Sequence, residues 1–229
     1  QLRGTYRSLV SHSSKRENQA TIVKGIIPIR TIMKICVISD IHGSTVWKDI
    51  VAKEKENVDR FIFLGDYVDD KRKLVSPEEQ LQNLQSIQDF KKEYIHVDLL
   101  IGNHDLQYIG GARCNRFDSY LFDLVQSEFI AMVQKEILQV CVCYDNYLFS
   151  HAGISYIWMK EKGMEDYTDI NKQFHTNPLV LDFVNKISSD ASGDNVYQSP
   201  LWIRPDSLGN SALSGYHHVV GHTRIKEIS

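Results

Sequence analysis

Five short polar fragments carry the residues that could do chemistry, and each lies where an apolar run ends. In each of them an Asp or a His lies beside a small residue. A strand that only contributes to the core does not need such residues at its end. The pattern predicts a polar site assembled from several strand ends. The fragments are Ser39-Asp40-Ile41-His42-Gly43, Leu64-Gly65-Asp66-Tyr67-Val68-Asp69, Ile101-Gly102-Asn103-His104-Asp105, Ser150-His151-Ala152-Gly153 and Gly221-His222-Thr223.

The donor groups in these fragments are those of a metal site. Three imidazoles, two carboxylates and one amide give mixed nitrogen and oxygen ligation, which suits Mn, Fe, Zn or Ni and argues against a thiolate site. Six ligands are too many for one open catalytic ion and suit two ions bridged by a carboxylate, a pair that activates water and clamps phosphoryl oxygens. The candidate ligands are Asp40, His42, Asp66, Asn103, His151 and His222.

The imidazole of His104 is a candidate proton donor, because the adjacent Asn103 offers a ligand oxygen. An Asn-His-Asp run alone is more often a turn with capping groups, and the other four fragments are what favour chemistry here. His218 is left open, since the strand pattern could point it towards the site. The histidines assigned to ordinary surface or core roles are His12, His96, His175 and His217.

Alternating strands and helices must position the first three fragments. Apolar runs predict strands over 34–39, 60–64 and 94–101, with helices over about 45–56 and from a Ser76 cap onwards. A polar fragment follows each strand, which is typical of a parallel α/β half with its ligands at the carboxyl ends of the strands.

The second half of the chain predicts a different sheet, because its apolar runs favour an antiparallel hairpin. His151 would follow the second arm of that hairpin, and His222 the last strand. The predicted elements are a loop over 106–116, a helix over 117–134, hairpin arms over 137–143 and 147–150, a helical region over 155–189 broken at 177–178, a polar loop over 188–200 and a strand over 216–220.

The composition is that of an ordinary globular protein. The 229 residues are 42% hydrophobic and 24% charged, which is enough for one substantial core. A formal net charge of -3 gives no overall attraction to nucleic acid or to an anionic membrane, and no segment has the roughly 20 apolar residues of a membrane span. The four cysteines form no CxxC pair, which favours free thiols in a reducing, cytoplasmic compartment.

Residues 1–32 differ from the rest of the chain, because they are basic and carry the single acid Glu17. We interpret them as an amino-terminal appendage. One reading is a transit-type or basic tail. The reading we favour is a tag or misassigned translation upstream of Met33, where a strand pattern begins at once. Residues 33–229 are then predicted to form a single domain.

The five motifs together resemble a known family. Asp-x-His, Gly-Asp-x-x-Asp, Gly-Asn-His-Asp, His-Ala-Gly and Gly-His-Thr, in this order over about residues 33–224, are similar to the calcineurin-like metallophosphoesterases. Gly-Asp-Tyr-Val-Asp and His-Ala-Gly are closer to the serine/threonine phosphoprotein phosphatase and diadenosine-tetraphosphate hydrolase branch. The resemblance implies an α/β fold in which a double β-sheet sandwich is flanked by helices, as four layers in the order α/β/β/α.

The resemblance also implies residue roles. His104, oriented by Asp69, would protonate the leaving alkoxide, and Arg204 would bind phosphate. The cofactors would be two divalent metal ions, with Mn as our first choice and Fe, Zn or Ni as alternatives. One ion would be held by Asp40, His42 and Asp66, and the other by Asp66, Asn103, His151 and His222, with Asp66 bridging.

The implied activity is hydrolysis of phosphate monoesters, on a phosphoprotein or a small molecule, by a hydroxide that bridges the metals. The alternative is a dinucleoside-polyphosphate hydrolase or phosphodiesterase on the same site, and a remote one is a non-catalytic scaffold. One departure concerns the substrate. Phosphoprotein phosphatases usually have Arg after the second Asp of Gly-Asp-x-Val-Asp, whereas here Asp70 follows Asp69. The candidate replacements for that arginine are Lys71, Arg72, Lys73 and Arg113.

Overall fold

A four-stranded parallel sheet forms the first half of the fold. The computed structural model describes residues 32–186 and 191–224. The strands of the first sheet lie in chain order, each parallel to the next, with helices in the connections. In chain order the elements are β1 (Ile35–Ile38), α1 (Val46–Glu54), β2 (Arg60–Phe63), α2 (Pro77–Glu93), β3 (Val97–Leu100), α3 (Asn103–Leu106), a 3-10 turn (Gln107–Ile109), α4 (Ser119–Gln134) and β4 (Leu138–Gln139).

A three-stranded mixed sheet forms the second half. Its first two strands make the antiparallel hairpin, and the last strand pairs in parallel with the second arm. None of the described helices is long and apolar enough to cross a membrane. The elements are β5 (Cys141–Tyr144), β6 (Tyr147–Ser150), α5 (Tyr156–Glu161), α6 (Tyr167–Thr176), a 3-10 turn (Pro178–Leu181), α7 (Pro205–Ser211) and β7 (His217–Val219).

The two sheets pack face to face. Alternate residues of β2 point to opposite faces of its sheet, so one set contacts the second sheet and the other set contacts a helix. Ile62 packs against Leu100 of β3 and Phe149 of β6 in a small buried cluster between the sheets. Phe61 and Phe63 point the other way, and their rings contact Phe90 of α2. Helices on the outer side of each sheet complete the α/β/β/α sandwich, which confirms the predicted fold class.

The run 137–143, predicted as one hairpin arm, is two strands in different sheets. Leu138 and Gln139 pair with β3, and the chain then crosses at Val140 to begin β5 in the second sheet. The side chain of Asn171, on α6, accepts the backbone N–H of Val140 at 2.8 Å and donates to the carbonyl of Cys141 at 2.8 Å. Apolar character alone could not reveal the crossing, because its hydrogen-bond partner lies about 30 residues downstream.

Replacing Asn171 with Ala is expected to destabilise the fold by about 2–4 kcal/mol, because the buried backbone groups at the crossing would lose their partners. Urea denaturation followed by circular dichroism measures this loss. Lys172→Ala is the matched control, since Lys172 is exposed on the same helix and its ion pair with Asp169 contributes little. Equal stability of the two variants would contradict this role of Asn171.

Several predicted boundaries need correction. The third strand begins at Val97 rather than at residue 94, since Ile95 is 81% exposed in the turn after α2. The predicted loop 106–116 instead starts with the end of a short helix and a 3-10 turn. The helical region 155–189 is interrupted a second time around Gly163, and helix α7 was not predicted at all. The start of α2 has the predicted capping box of Ser76 and Glu79.

Two predicted segments lie wholly or partly outside the described residues. Of the appendage over 1–32, only Ile32 is described. Residues 187–190, at the junction of the predicted helical region and the polar loop, are also outside the described part of the chain.

Candidate active site

The candidate ligands lie at the carboxyl ends of five strands. Asp40 and His42 follow β1, Asp66 follows β2, and Asn103 begins the helix after β3. His151 directly follows β6, and His222 follows β7. The geometry brings all six together at one rim of the sandwich, although residues 40 and 222 are 182 positions apart in the chain.

The backbone is strained at this rim. Among the described residues that are not glycine, eight have a positive φ, and five of these are Asp40, His42, Asp66, Asp69 and His222. Such conformations cost about 1–3 kcal/mol each and persist where surrounding contacts enforce them, which is common at functional sites. The strain therefore marks the same residues as the sequence motifs.

Asp105 ties two of the strand ends together and was not predicted to do so. Its carboxylate accepts the backbone N–H groups of Asp66, Tyr67 and Gly102, each at 2.8 Å. The two loops approach so closely that a Cβ at Gly102 would lie 2.2 Å from Asp66 Oδ1. Asp105 is fully buried, and the burial raises its pKa. An acid three positions after a strand-ending Gly was the available signal, and only the contacts give its meaning.

Four atoms that could each give a lone pair to a metal ion lie close together around His151. Its Nδ1 lies 2.8 Å from the carbonyl oxygen of Leu64, which can only accept, so Nδ1 carries the proton and Nε2 has a free lone pair. That bare Nε2 faces two oxygens, Asn103 Oδ1 at 3.0 Å and Asp66 Oδ1 at 3.6 Å. His222 Nδ1 lies 3.2 Å from the same nitrogen and 3.1 Å from Asn103 Oδ1.

A second group of lone-pair atoms lies around His42, and Asp40 connects it to the first, since ligand atoms of Asp40, Asp66 and His151 all lie within 4.8 Å of one another. Nδ1 of His42 lies 3.0 Å from the carbonyl oxygen of Val68, which again leaves Nε2 bare. This Nε2 is buried without a hydrogen-bond partner, 3.4 Å from Asp66 Oδ2 and 4.0 Å from Asp40 Oδ1. Each carboxylate oxygen of Asp66 therefore faces a different group, Oδ1 the His151 group and Oδ2 the His42 group.

The protonation of these groups fits a cation. Burial lowers the pKa of His42, and burial together with the neighbouring His151 lowers the pKa of His222 to about 3, so both imidazoles are neutral near pH 7. Asn103 donates its amide N–H to Cys114 Sγ at 3.3 Å, which turns its oxygen inwards. The lone pairs of His42 Nε2 and of the Asp66 carboxylate have no proton between them and repel one another unless a cation lies there, and divalent ions prefer these donors. The residues present therefore fit metal ions.

A sequence profile for the calcineurin-like phosphoesterases matches residues 33–225. The chain belongs to this family. Two solved structures are similar over 53% of the chain: a metallophosphoesterase from Sphaerobacter thermophilus, with 22% identity and a TM-score of 0.37, and a protein serine/threonine phosphatase from Saccharomyces cerevisiae, with 18% identity and a TM-score of 0.33. The chain covers 47% and 38% of these two structures, which is less than half of either. No curated protein sequence matches significantly.

In this calcineurin-like phosphoesterase, His104 belongs to a buried hydrogen-bonded network centred on Asp69. His104 Nδ1 lies 2.7 Å from Asp69 Oδ2, and the same carboxylate accepts from the Gln107 amide and from the Tyr108 hydroxyl. Burial and the bond to Asp69 raise the pKa of Tyr108, so its hydroxyl remains a donor. Gln107 and Tyr108 were missed in the sequence, because they lie on a turn that was predicted as loop.

The remaining histidines of the described chain have other partners. The ring nitrogens of His218 lie against backbone groups of Ile154 and Leu213, so His218 does not join the site. His96 lies against Arg60, His175 against the carbonyl of Leu138, and His217 against the ring of Tyr147. His12 lies outside the described residues.

Two cavities open beside the donor groups. One of about 400 Å³ is lined by His104, Asn103 and His222, and also by four cations, Lys71, Arg113, Arg116 and Arg204. A neighbouring one of about 530 Å³ contains Asp40, His42, Lys71 and Arg72. Lys71 lines both, whereas Lys73 lines neither. The cavity beside His104 is lined by Lys71, by the loop 106–116, and by Trp202 and Arg204, which lie just beyond the predicted polar loop 188–200.

Proposed function

We propose that this chain hydrolyses phosphate monoesters, on a phosphoprotein or a small molecule, with two divalent metal ions. The observation that carries the proposal is the position of Asp66, whose two carboxylate oxygens face different histidines, Oδ1 facing His151 and Oδ2 facing His42. One ion would be held by Asp40, His42 and Asp66, and the other by Asp66, Asn103, His151 and His222. Mn is our first choice for both ions, with Fe, Zn or Ni as alternatives.

The metals, when bound, would supply Lewis-acid charge at the scissile phosphoryl group and a water of lowered pKa as nucleophile. The chain's own residues would do the rest. Arg204 and Lys71, which line the cavity beside His104, would bind and orient phosphoryl oxygens. As the oxygen of water bonds to phosphorus and the ester P–O bond breaks, Nε2 of His104 would give its proton to the leaving alkoxide.

Asp69 would orient His104 during that proton transfer. Its bond to Nδ1 leaves Nε2 as the ring nitrogen free to meet a substrate. Gln107 donates to the same oxygen, Oδ2, and Tyr108 donates to Oδ1, so both hold the carboxylate in place. A protonated imidazole paired to a carboxylate is a suitable acid for an alkoxide, which is a poor leaving group without a proton.

Protein stripped with a chelator is expected to lose turnover of p-nitrophenyl phosphate by about three orders of magnitude, because the metals supply several kcal/mol of charge stabilisation. Mn should restore the activity, whereas Ca, which prefers all-oxygen ligation, should restore much less. In the same assay a phosphoserine peptide should be hydrolysed faster than bis-p-nitrophenyl phosphate. Chelation without effect would contradict the proposal.

A dinucleoside-polyphosphate hydrolase or phosphodiesterase is the second candidate, favoured by the two cavities that share Lys71 beside the donor groups. Such a substrate needs room for a second substituent. Diadenosine tetraphosphate in the assay above decides between the two, and a clear preference for it or for the diester would move the function to this alternative. A scaffold role has no support, since the ligand set and His104 are all present.

We also propose a cytoplasmic location and a single domain over 33–229. The four cysteines, Cys36, Cys114, Cys141 and Cys143, are free, as in reducing compartments. Contacts group the described residues from Met33 onwards into one compact unit.

A further inference from the structure

Four cations and two acids line the cavity beside His104. The cations are Lys71, Arg113, Arg116 and Arg204, and the acids are Asp40 and Asp66, which the proposed function gives to the metal ions. Among the described residues none of the four cations forms an ion pair. With both acids engaged by metal ions, the four cations would focus a positive potential in this concave space and attract anions.

The four cations come from three segments of the chain. Lys71 and Arg204 are the two that the proposed function assigns to the scissile phosphoryl group. Arg113 and Arg116 lie on the loop after the 3-10 turn, and that function does not use them. Because neither arginine forms an ion pair among the described residues, the charges of Arg113 and Arg116 are available to a second anionic group in the cavity beside His104.

The loop that carries Arg113 and Arg116 is held in place from several sides. The backbone N–H of Ala112 donates to Asp182 at 2.7 Å, and that of Cys114 donates to Gln107 Oε1 at 2.9 Å. The guanidinium of Arg113 lies over the ring of Phe117, 4.2 Å from its centre. Such contacts reduce the entropy that the loop and Arg113 would lose when a ligand binds.

We propose that Arg113 and Arg116 form an anion subsite that binds a second phosphoryl group of the same substrate. The inference rests on the proposed function, because that function places the scissile phosphoryl group beside the proposed metal ligands around Asp66. One guanidinium group can donate two parallel hydrogen bonds to two oxygens of the same phosphoryl group, which suits arginine to this ligand. The second phosphoryl group can come from a bisphosphorylated monoester or from a polyphosphate chain, and both present the same chemistry to the subsite.

Isothermal titration calorimetry with two non-hydrolysable probes tests the subsite. Mn-supplemented wild-type protein is expected to bind propane-1,3-diphosphonate at least about tenfold more tightly than propylphosphonate, since the second phosphonate group adds charge-assisted hydrogen bonds to the two guanidinium groups. The double variant Arg113→Gln, Arg116→Gln should lose most of that ratio. The double variant Lys135→Gln, Lys162→Gln is the control for net charge, because both lysines are exposed and neither lines the cavity. Equal affinities in the wild type, or an unchanged ratio in the double variant, would overturn the subsite.

The comparison of the two probes on the wild type needs no variant to fold. Arg116→Gln alone is a milder second variant, since only Arg113 stacks on Phe117. Binding is measured without turnover, so failure of p-nitrophenyl phosphate hydrolysis together with a retained ratio would reject the function and keep the subsite. Hydrolysis of p-nitrophenyl phosphate by wild-type protein that binds the two probes equally would keep the proposed function and reject the subsite.

Turnover then identifies the source of the second phosphoryl group. A bisphosphorylated sugar and diadenosine tetraphosphate are compared in the wild type and the double variant. A selective loss of kcat/KM for the sugar would assign the subsite to bisphosphorylated monoesters, and a selective loss for the dinucleotide would assign it to polyphosphate chains. No loss for either would contradict the proposal.

Discussion

Asp66→Asn is expected to reduce hydrolysis of p-nitrophenyl phosphate roughly a thousandfold, because it removes the charge that faces both donor groups and the several kcal/mol that bound metals supply. Asn matches Asp in shape and tolerates the φ of 57° at this position. Its amide oxygen can still accept the backbone N–H of His104, which Asp66 Oδ1 accepts at 3.0 Å. The loss should therefore be chemical rather than structural.

Metal content separates that explanation from misfolding. After dialysis against a metal-free buffer, elemental analysis should find about two ions in each wild-type chain and at least one fewer in the variant. Asp49→Asn is the matched control, because Asp49 is an exposed acid on α1 outside the site. Full metal content in the Asp66 variant would remove the bridging role of this carboxylate.

His104→Asn is expected to slow hydrolysis of an alkyl phosphate by about 10²–10⁴-fold, since that leaving group needs a proton. The loss with p-nitrophenyl phosphate should be far smaller, because p-nitrophenolate leaves without one. The variant should keep its metals, since His104 is not one of the proposed ligands: its Nδ1 bonds to Asp69, and its ring only packs edge-on against His42. The ratio of kcat/KM for the two substrates is the quantity to measure.

Two comparisons sharpen the leaving-group experiment. His217→Asn controls for the loss of an imidazole, because His217 is exposed and lies against Tyr147. Equal losses on the alkyl and aryl esters would count against an acid role for His104. If the variant loses metal as well as activity, the role of His104 is instead to maintain the geometry of the metal ligands.

Much of the first sheet was predictable because its signals are local. Each apolar run of four to eight residues is typical of a buried strand, and the polar fragment after it marks the carboxyl end. Parallel strands bring those ends to one edge, so the positions of Asp40, Asp66 and Asn103 follow from the pattern alone. The Ser76 cap was predictable for the same reason, since its bonds span three residues.

The errors fall where a distant contact overrides a local pattern. The run 137–143 is apolar apart from Gln139, and Asn171 decides where it leaves one sheet for the other. The turn 107–109 follows from the packing of Gln107 and Tyr108 against Asp69, nearly 40 residues earlier. A window of ten or fifteen residues contains no information on such partners.

The sequence by itself determined the chemical types of the donor groups, their places at strand ends, and the family that those motifs share. Only the tertiary structure decided which nitrogen of His42 and of His151 is bare, which oxygen of Asp66 faces which group, and which cations line the cavity of His104. The reason is physical. Residue type is a property of one position. The direction of an imidazole lone pair depends instead on backbone carbonyls, such as those of Leu64 and Val68, which the fold brings to each ring from elsewhere in the chain.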